Sequence, residues 1–162
     1  MLLLLTLTAL AAEPSAKVLD SGAILGQVSL QVAPDALLQK LADPVWITVV
    51  DGEGTEVVVR SREGDCIVGE WTAPSALGPQ AYVAKRCMLV DGVEATLVSS
   101  DNFSAYRTRW TVAAEGEGSL LTYEIAVISN LMVPQYFVNS STRKAVLHLM
   151  GQMQKEFAPT AD

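Results

Sequence analysis

The chain has 162 residues, half of them hydrophobic and 18% charged, with 11 Lys plus Arg against 18 Asp plus Glu and a net charge of −7. That length suits one domain with a single substantial core, and the hydrophobic content excludes a disordered chain. The acidic balance, with no basic patch or nucleic-acid motif, argues against a nucleic-acid partner; it disfavours anionic membranes on average and leaves only a transient membrane contact through a local loop.

In chain order, the apolar run Leu2 to Ala12 comes first. It is shorter than the ~20 residues a spanning helix needs and ends in small residues, as an export signal does, although a positive leading region is missing. Residues 1–16 are therefore expected to be a signal peptide or a frayed N-terminus, and the protein to be exported, periplasmic or extracellular. The stretch GAILGQVSLQVA then reads as a first strand, with Val28, Leu30 and Val32 on one face. PDALLQKLADPVWI is a short helix interrupted at Pro44, and TEVVVRS supplies the next strand.

Around the turn-rich segment Ala73 to Pro79 stand two strand-like arms. Pairing them about its middle sets Trp71 opposite Tyr82, Gly69 opposite Ala84 and Cys66 opposite Cys87. Directly opposed cysteines are close enough to bridge, and an exported protein would oxidise them. The alternative is two buried thiols. Neither the cysteines nor the lone His148 offer zinc-ligand spacing, so no metal and no cofactor is expected.

The hairpin VAKRCMLVDGVEATLV has Asp91-Gly92 at its predicted turn. Ala84, Met88, Val90, Val93, Ala95 and Leu97 share one face, and Lys85, Glu94 and Thr96 the other. Arg86 projects from the apolar face, where it needs an acceptor: a ligand's acidic head, water at the sheet rim, or a protein acid. Two further strands follow, FSAYRTRWTVA and LLTYEIAVIS. Symmetric loops predict Glu94 opposite Arg107 and Arg109 opposite Glu124, all on the wet face. Ile67, Trp71, Tyr82, Met88, Leu97, Tyr106, Trp110, Leu121, Tyr123, Ile125 and Val127 then gather on the dry one. A one-residue slip would transfer a whole strand to the wrong face, so four strands obeying one alternation is a strong constraint.

The last segment, opened by Pro134 and running to Phe157, carries an apolar stripe through Val138, Ala145, Val146, Leu149, Met150, Met153 and Phe157. As a helix of ~24 residues it would be about 36 Å long, enough to cross the sheet. Gly151 is expected to mark a close backbone approach.

The Ala33-Pro34-Asp35 opening of a broken helix, and GEGSLLTYEIAV followed by VPQYFV, Arg143 and the final helix, resemble the START-related helix-grip (SRPBCC) superfamily. Within it, the polyketide-cyclase/dehydrase and coenzyme-Q-binding branch is most similar. The resemblance covers roughly residues 24–157 and rests on arrangement rather than on any single residue. It implies an α+β helix-grip domain over 22–158: a curved seven-stranded antiparallel sheet wrapped around a long C-terminal helix, with one or two short helices after strand 1. It further implies a cavity for a lipid, quinone or polyketide-like molecule. The residues expected to line it are Trp71, Tyr82, Arg86, Met88, Leu97, Tyr106, Trp110, Tyr123, Ile125, Met150 and Met153. No catalytic residue stands out. The reading is non-catalytic binding or transport of a hydrophobic small molecule. Its alternatives are a cyclase- or lyase-like enzyme using the same cavity, and an assembly protein whose cavity is vestigial.

Overall fold

A computed structural model describes residues 12–52 and 54–159. The apolar run expected to be an export signal lies, but for Ala12, outside them. Eight strands and three helices follow one another: β1 (Ser15–Val18), β2 (Ile24–Leu30), α1 (Pro34–Ala42), α2 (Pro44–Asp51), β3 (Glu56–Glu63), β4 (Cys66–Ala73), β5 (Gln80–Leu89), β6 (Gly92–Ser99), β7 (Phe103–Glu115), β8 (Gly118–Ser129) and α3 (Gln135–Glu156). The strands form one antiparallel sheet in the order β1-β2-β8-β7-β6-β5-β4-β3.

The sheet has one strand more than the seven expected. Ser15–Val18 pairs along β2, with Ser15 opposite Gln27 and Val18 opposite Ile24. Four residues carry too little alternation to announce a strand; the β2 edge supplies the ladder they need.

α1 and α2 are separate helices because of Asp43-Pro44. A residue before proline is driven out of the helical region, and Asp43 sits at φ −87°, ψ 108°. Its Oδ1 accepts from the Val45 amide at 2.9 Å, so one residue ends the first helix and caps the second.

The strand pairings agree with the alternation on every predicted face. Trp71 lies opposite Tyr82, Gly69 opposite Ala84, and Cys66 opposite Cys87, which form a disulfide across a Cα separation of 4.0 Å. Arg109 lies opposite Glu124. Glu94, however, pairs with Arg109 and not Arg107, whose partner is Thr96. A two-residue offset keeps the face, and Arg107 still reaches Glu94 diagonally at 2.7 Å.

The β5–β6 turn also differs from expectation. Its two connecting residues are Val90 and Asp91, since Leu89 pairs with Gly92. Val90 is thus fully exposed at the tip instead of facing the core. Gly92 is required not by a left-handed turn but by proximity: a Cβ there would collide with the Trp110 carbonyl of β7.

Contacts between elements show that the sheet curls. α3 packs against β1, β2 and β8 at one edge, while α2 touches both α3 and β3, the strand at the opposite edge. Seven flat strand spacings would separate those edges by roughly 33 Å, further than two helices about 10 Å wide can bridge. The close approach of α3 falls at Gly26, not at Gly151. A Cβ on Gly26 would stand 2.5 Å from Val146 Cγ1 and 3.1 Å from Met150 Cγ, whereas one on Gly151 would meet open space. The core sits beneath this crossing, built from Ile24, Val28, Leu121, Val146, Met150 and Met153.

Candidate functional site

Because α3 covers the β1-β2-β8 side, the inward faces of β4 to β7 are left with α1 and α2 as partial cover. Two cavities occupy the gap. The inner one, about 90 Å³, is bounded by Trp71, Ala84, Arg86, Ala95, Thr108, Trp110 and Tyr123 from the sheet, by Ile47, Asp51 and Thr55 around α2, and by Leu149 of α3. The outer one, about 460 Å³, lies between Ile125, Val127 and Phe103 on the sheet, Val138, Ser141 and Ala145 on α3, and the loop from Pro74 to Leu77. Ala73, Tyr82 and Tyr106 belong to both walls, so the cavities adjoin there.

Period-two alternation places these side chains. On β5, Gln80, Tyr82, Ala84 and Arg86 point inward while Ala81 and Lys85 are exposed. On β7, Tyr106, Thr108 and Trp110 do the same. Small Ala84 and Ala95 leave the volume that larger neighbours would fill.

Aromatic rings organise the junction. Tyr82 and Tyr106 lie 4.6 Å apart between centroids, with the Tyr82 hydroxyl donating to that of Tyr106 at 3.3 Å. Phe103 stands 5.6 Å from Tyr82, and Trp110 stacks on Tyr123 at 4.0 Å. Burial pushes the Tyr82 and Tyr123 hydroxyls well above their ordinary value of 10.0, with a further push from Tyr106. Burial raises Tyr106 as well, opposed by hydrogen bonding with Tyr82 and Thr108 and by the Arg86 charge. All three rings therefore remain hydroxyl donors at neutral pH.

Arg86 is the centre of the inner chamber. It is 5% exposed, and its guanidinium donates to the Leu41 carbonyl, one of the last carbonyls of α1, which lack partners within their own helix. Neither the rim position nor the acid partner considered from sequence applies: among the described residues no carboxylate lies within ion-pair distance. Burial lowers its pKa to about 10, while Tyr106, Tyr123 and Asp43 act to retain the charge. Its other nitrogens are not sealed. Among the described residues the only buried side-chain polar atoms that are both unpartnered and inaccessible are Trp46 Nε1 and Gln80 Oε1. The Arg86 nitrogens are not among them, and Arg86 lines the inner chamber.

Of the residues expected to meet a ligand, Trp71, Tyr82, Arg86, Tyr106, Trp110 and Tyr123 surround the inner cavity, and Ile125 joins Tyr82 and Tyr106 at the outer one. Met88, Leu97, Met150 and Met153 line neither. Met150 and Met153 are fully buried in the core beside Gly26, which brings α3 too close to the sheet there to leave space. Met88 packs against the core, and Leu97 is half-buried beyond the cavities. Sequence reasoning missed Gln80 and Thr108, which the same alternation would have given, and Phe103, which alternation alone assigns to the other face and a β-bulge between Phe103 and Ala105 turns inward. It also missed Asp51 and Thr55, which only the placement of α2 brings in. His148 is exposed on α3 and lines neither cavity.

No family model and no curated protein matches the chain. Solved structures do. A START superfamily protein from Mycobacterium smegmatis superposes with a TM-score of 0.74 at 13% identity, covering 83% of this chain and 96% of that one. The Zhui aromatase/cyclase of a Streptomyces species gives 0.73 at 10% identity, covering 83% and 92%. A STAR-related lipid transfer protein from Xanthomonas axonopodis gives 0.66 at 12% identity, covering 91% and 97%. These likenesses establish the helix-grip fold.

Proposed function

We propose that this helix-grip chain binds a hydrophobic small molecule, without catalysis, in the space between its sheet and α3. One observation carries the reading: a largely apolar chamber of about 460 Å³ adjoins a smaller one walled by a buried arginine and three tyrosines. The outer volume lies within the roughly 300–1,000 Å³ of small-molecule sites. The apolar body of a guest would lie along Ile125, Val127, Phe103 and Val138, with its polar end directed past Tyr82 and Tyr106. The similar solved structures include a lipid transfer protein and an aromatase/cyclase, so hydrophobic cargo suits the fold.

Converging Tyr82, Tyr106 and Arg86 also support a second reading, a cyclase-like reaction. Against it, tyrosines raised by burial are poor bases, and Asp51 is the only carboxylate on the inner wall among the described residues. Export belongs to the first reading: a disulfide favours an oxidising compartment. So does transient contact with a bilayer, for which exposed Met132, Tyr136 and Phe137 at the start of α3 are suited. No helix among the described residues is long and apolar enough to cross a membrane.

The test is native mass spectrometry of the purified protein, followed by organic extraction and rebinding from a panel of lipids and quinones. Captured or rebound apolar mass that disappears in Ala145→Trp, which obstructs the outer chamber, is the expected result. A chain that stays empty across the panel would refute the reading.

A further inference from the structure

The inner chamber holds one cation and room for little else. Its volume of about 90 Å³ is a small fraction of the outer one's about 460 Å³. Arg86 offers five N–H donors in a planar fork, of which the Leu41 carbonyl engages one end. Arg86 lines this chamber, and among the described residues no carboxylate stands within ion-pair distance of it. A carboxylate is the planar monoanion its geometry matches.

Competing heads fit less well. A phosphate monoester brings a charge of about −1.5 to −2 against a single arginine. A phosphodiester brings one charge but also a further substituent, for which a chamber of about 90 Å³ leaves little room. A neutral head would leave the guanidinium without its anion. Asp51, also on the wall, is half-exposed and already accepts from the Thr55 hydroxyl at 2.7 Å. Its field bears on Tyr82 and Tyr123, while Arg86 responds to Tyr106, Tyr123 and Asp43.

We propose that the preferred ligand is a hydrophobic monocarboxylic acid, bound with its carboxylate on Arg86 in the inner chamber and its apolar body in the outer one. The Tyr106 hydroxyl, which accepts from Tyr82, is the neighbouring donor for the second carboxylate oxygen. The inference rests on the reading that the cavity takes a hydrophobic guest, and adds its charge and headgroup.

Displacement of the neutral fluorophore diphenylhexatriene separates the two. The competitors are palmitic acid, methyl palmitate and cetyl phosphate, which share one chain and differ in the head. Palmitic acid should displace the fluorophore at least about tenfold more tightly than its methyl ester, as expected for charge-assisted hydrogen bonds in a buried site. It should also exceed cetyl phosphate. In Arg86→Met the acid–ester difference should collapse while the ester keeps its affinity within about threefold. Tyr106→Phe, which leaves the Leu41 contact alone, should weaken the acid and spare the ester. Equal binding of acid and ester by the natural chain, a preference that survives in Arg86→Met, or cetyl phosphate ranking first would each overturn the headgroup assignment while leaving a hydrophobic site in place. Failure of the fluorophore and every competitor to bind would remove the parent reading as well.

Discussion

Replacing Arg86 by methionine distinguishes a scaffold residue from a binding residue. Burial lowers the guanidinium pKa to about 10. At about 1.4 kcal/mol per pKa unit, the folded chain carries a cost of about 3 kcal/mol for keeping this group charged at neutral pH. Against this stands one charge-assisted hydrogen bond to the Leu41 carbonyl, which contributes about 1.5–3 kcal/mol. Methionine fills a similar volume without charge and adapts its shape to the wall. The balance predicts no loss of stability and a gain of up to about 1.5 kcal/mol. Urea unfolding with an unchanged denaturant slope measures it directly, and a thermal melt should move upward by about 2–4 °C per kcal/mol. The same variant is expected to lose its preference for acids. Stability gained with recognition lost is the pattern of a group held at the expense of the fold. A destabilisation beyond about 2 kcal/mol would refute the reasoning, because Arg86 would then be a cap on α1 and its charge a structural component.

Three further outcomes follow from other parts of the molecule. Gly26→Ala should destabilise by about 1–3 kcal/mol, since its Cβ would press on Val146 at 2.5 Å, whereas Gly151→Ala, with open space around it, should stabilise α3 by up to about 1 kcal/mol; paired thermal melts decide both. Removing the disulfide with Cys66→Ala and Cys87→Ala should cost about 3 kcal/mol in urea unfolding, from the loop closed across a separation of 21 residues. Above pH 10, stability should fall. The unfolded chain gives up tyrosine protons that buried Tyr82, Tyr106 and Tyr123 retain, while Arg86 acts the other way, staying protonated in the unfolded chain above the pH of about 10 at which the folded one releases its proton. Three groups against one leave a slope of about −3 kcal/mol per pH unit, read from unfolding at stepped pH; a flat or rising profile would show the rings to be solvated.

Local alternation was enough to determine which way the sheet residues face. Trp71, Tyr82, Tyr106, Trp110 and Tyr123 share a side because strand geometry has a period of two, and the Cys66–Cys87 pairing follows from the same count. Even the mistaken partner of Arg107 preserved its face, since an error of two residues is invisible to that period. Alternation does not say which half of the dry face is covered. That was decided where β2 lacks a side chain: Gly26 lets Val146 and Met150 come down on the β1-β2-β8 side, so the two methionines become core and the aromatic half becomes a cavity. The meeting of Arg86 with the Leu41 carbonyl across a separation of 45 residues likewise has no local signature. Faces are a property of the strand alone, whereas cover, void and the partner of a buried charge depend on how distant elements approach one another.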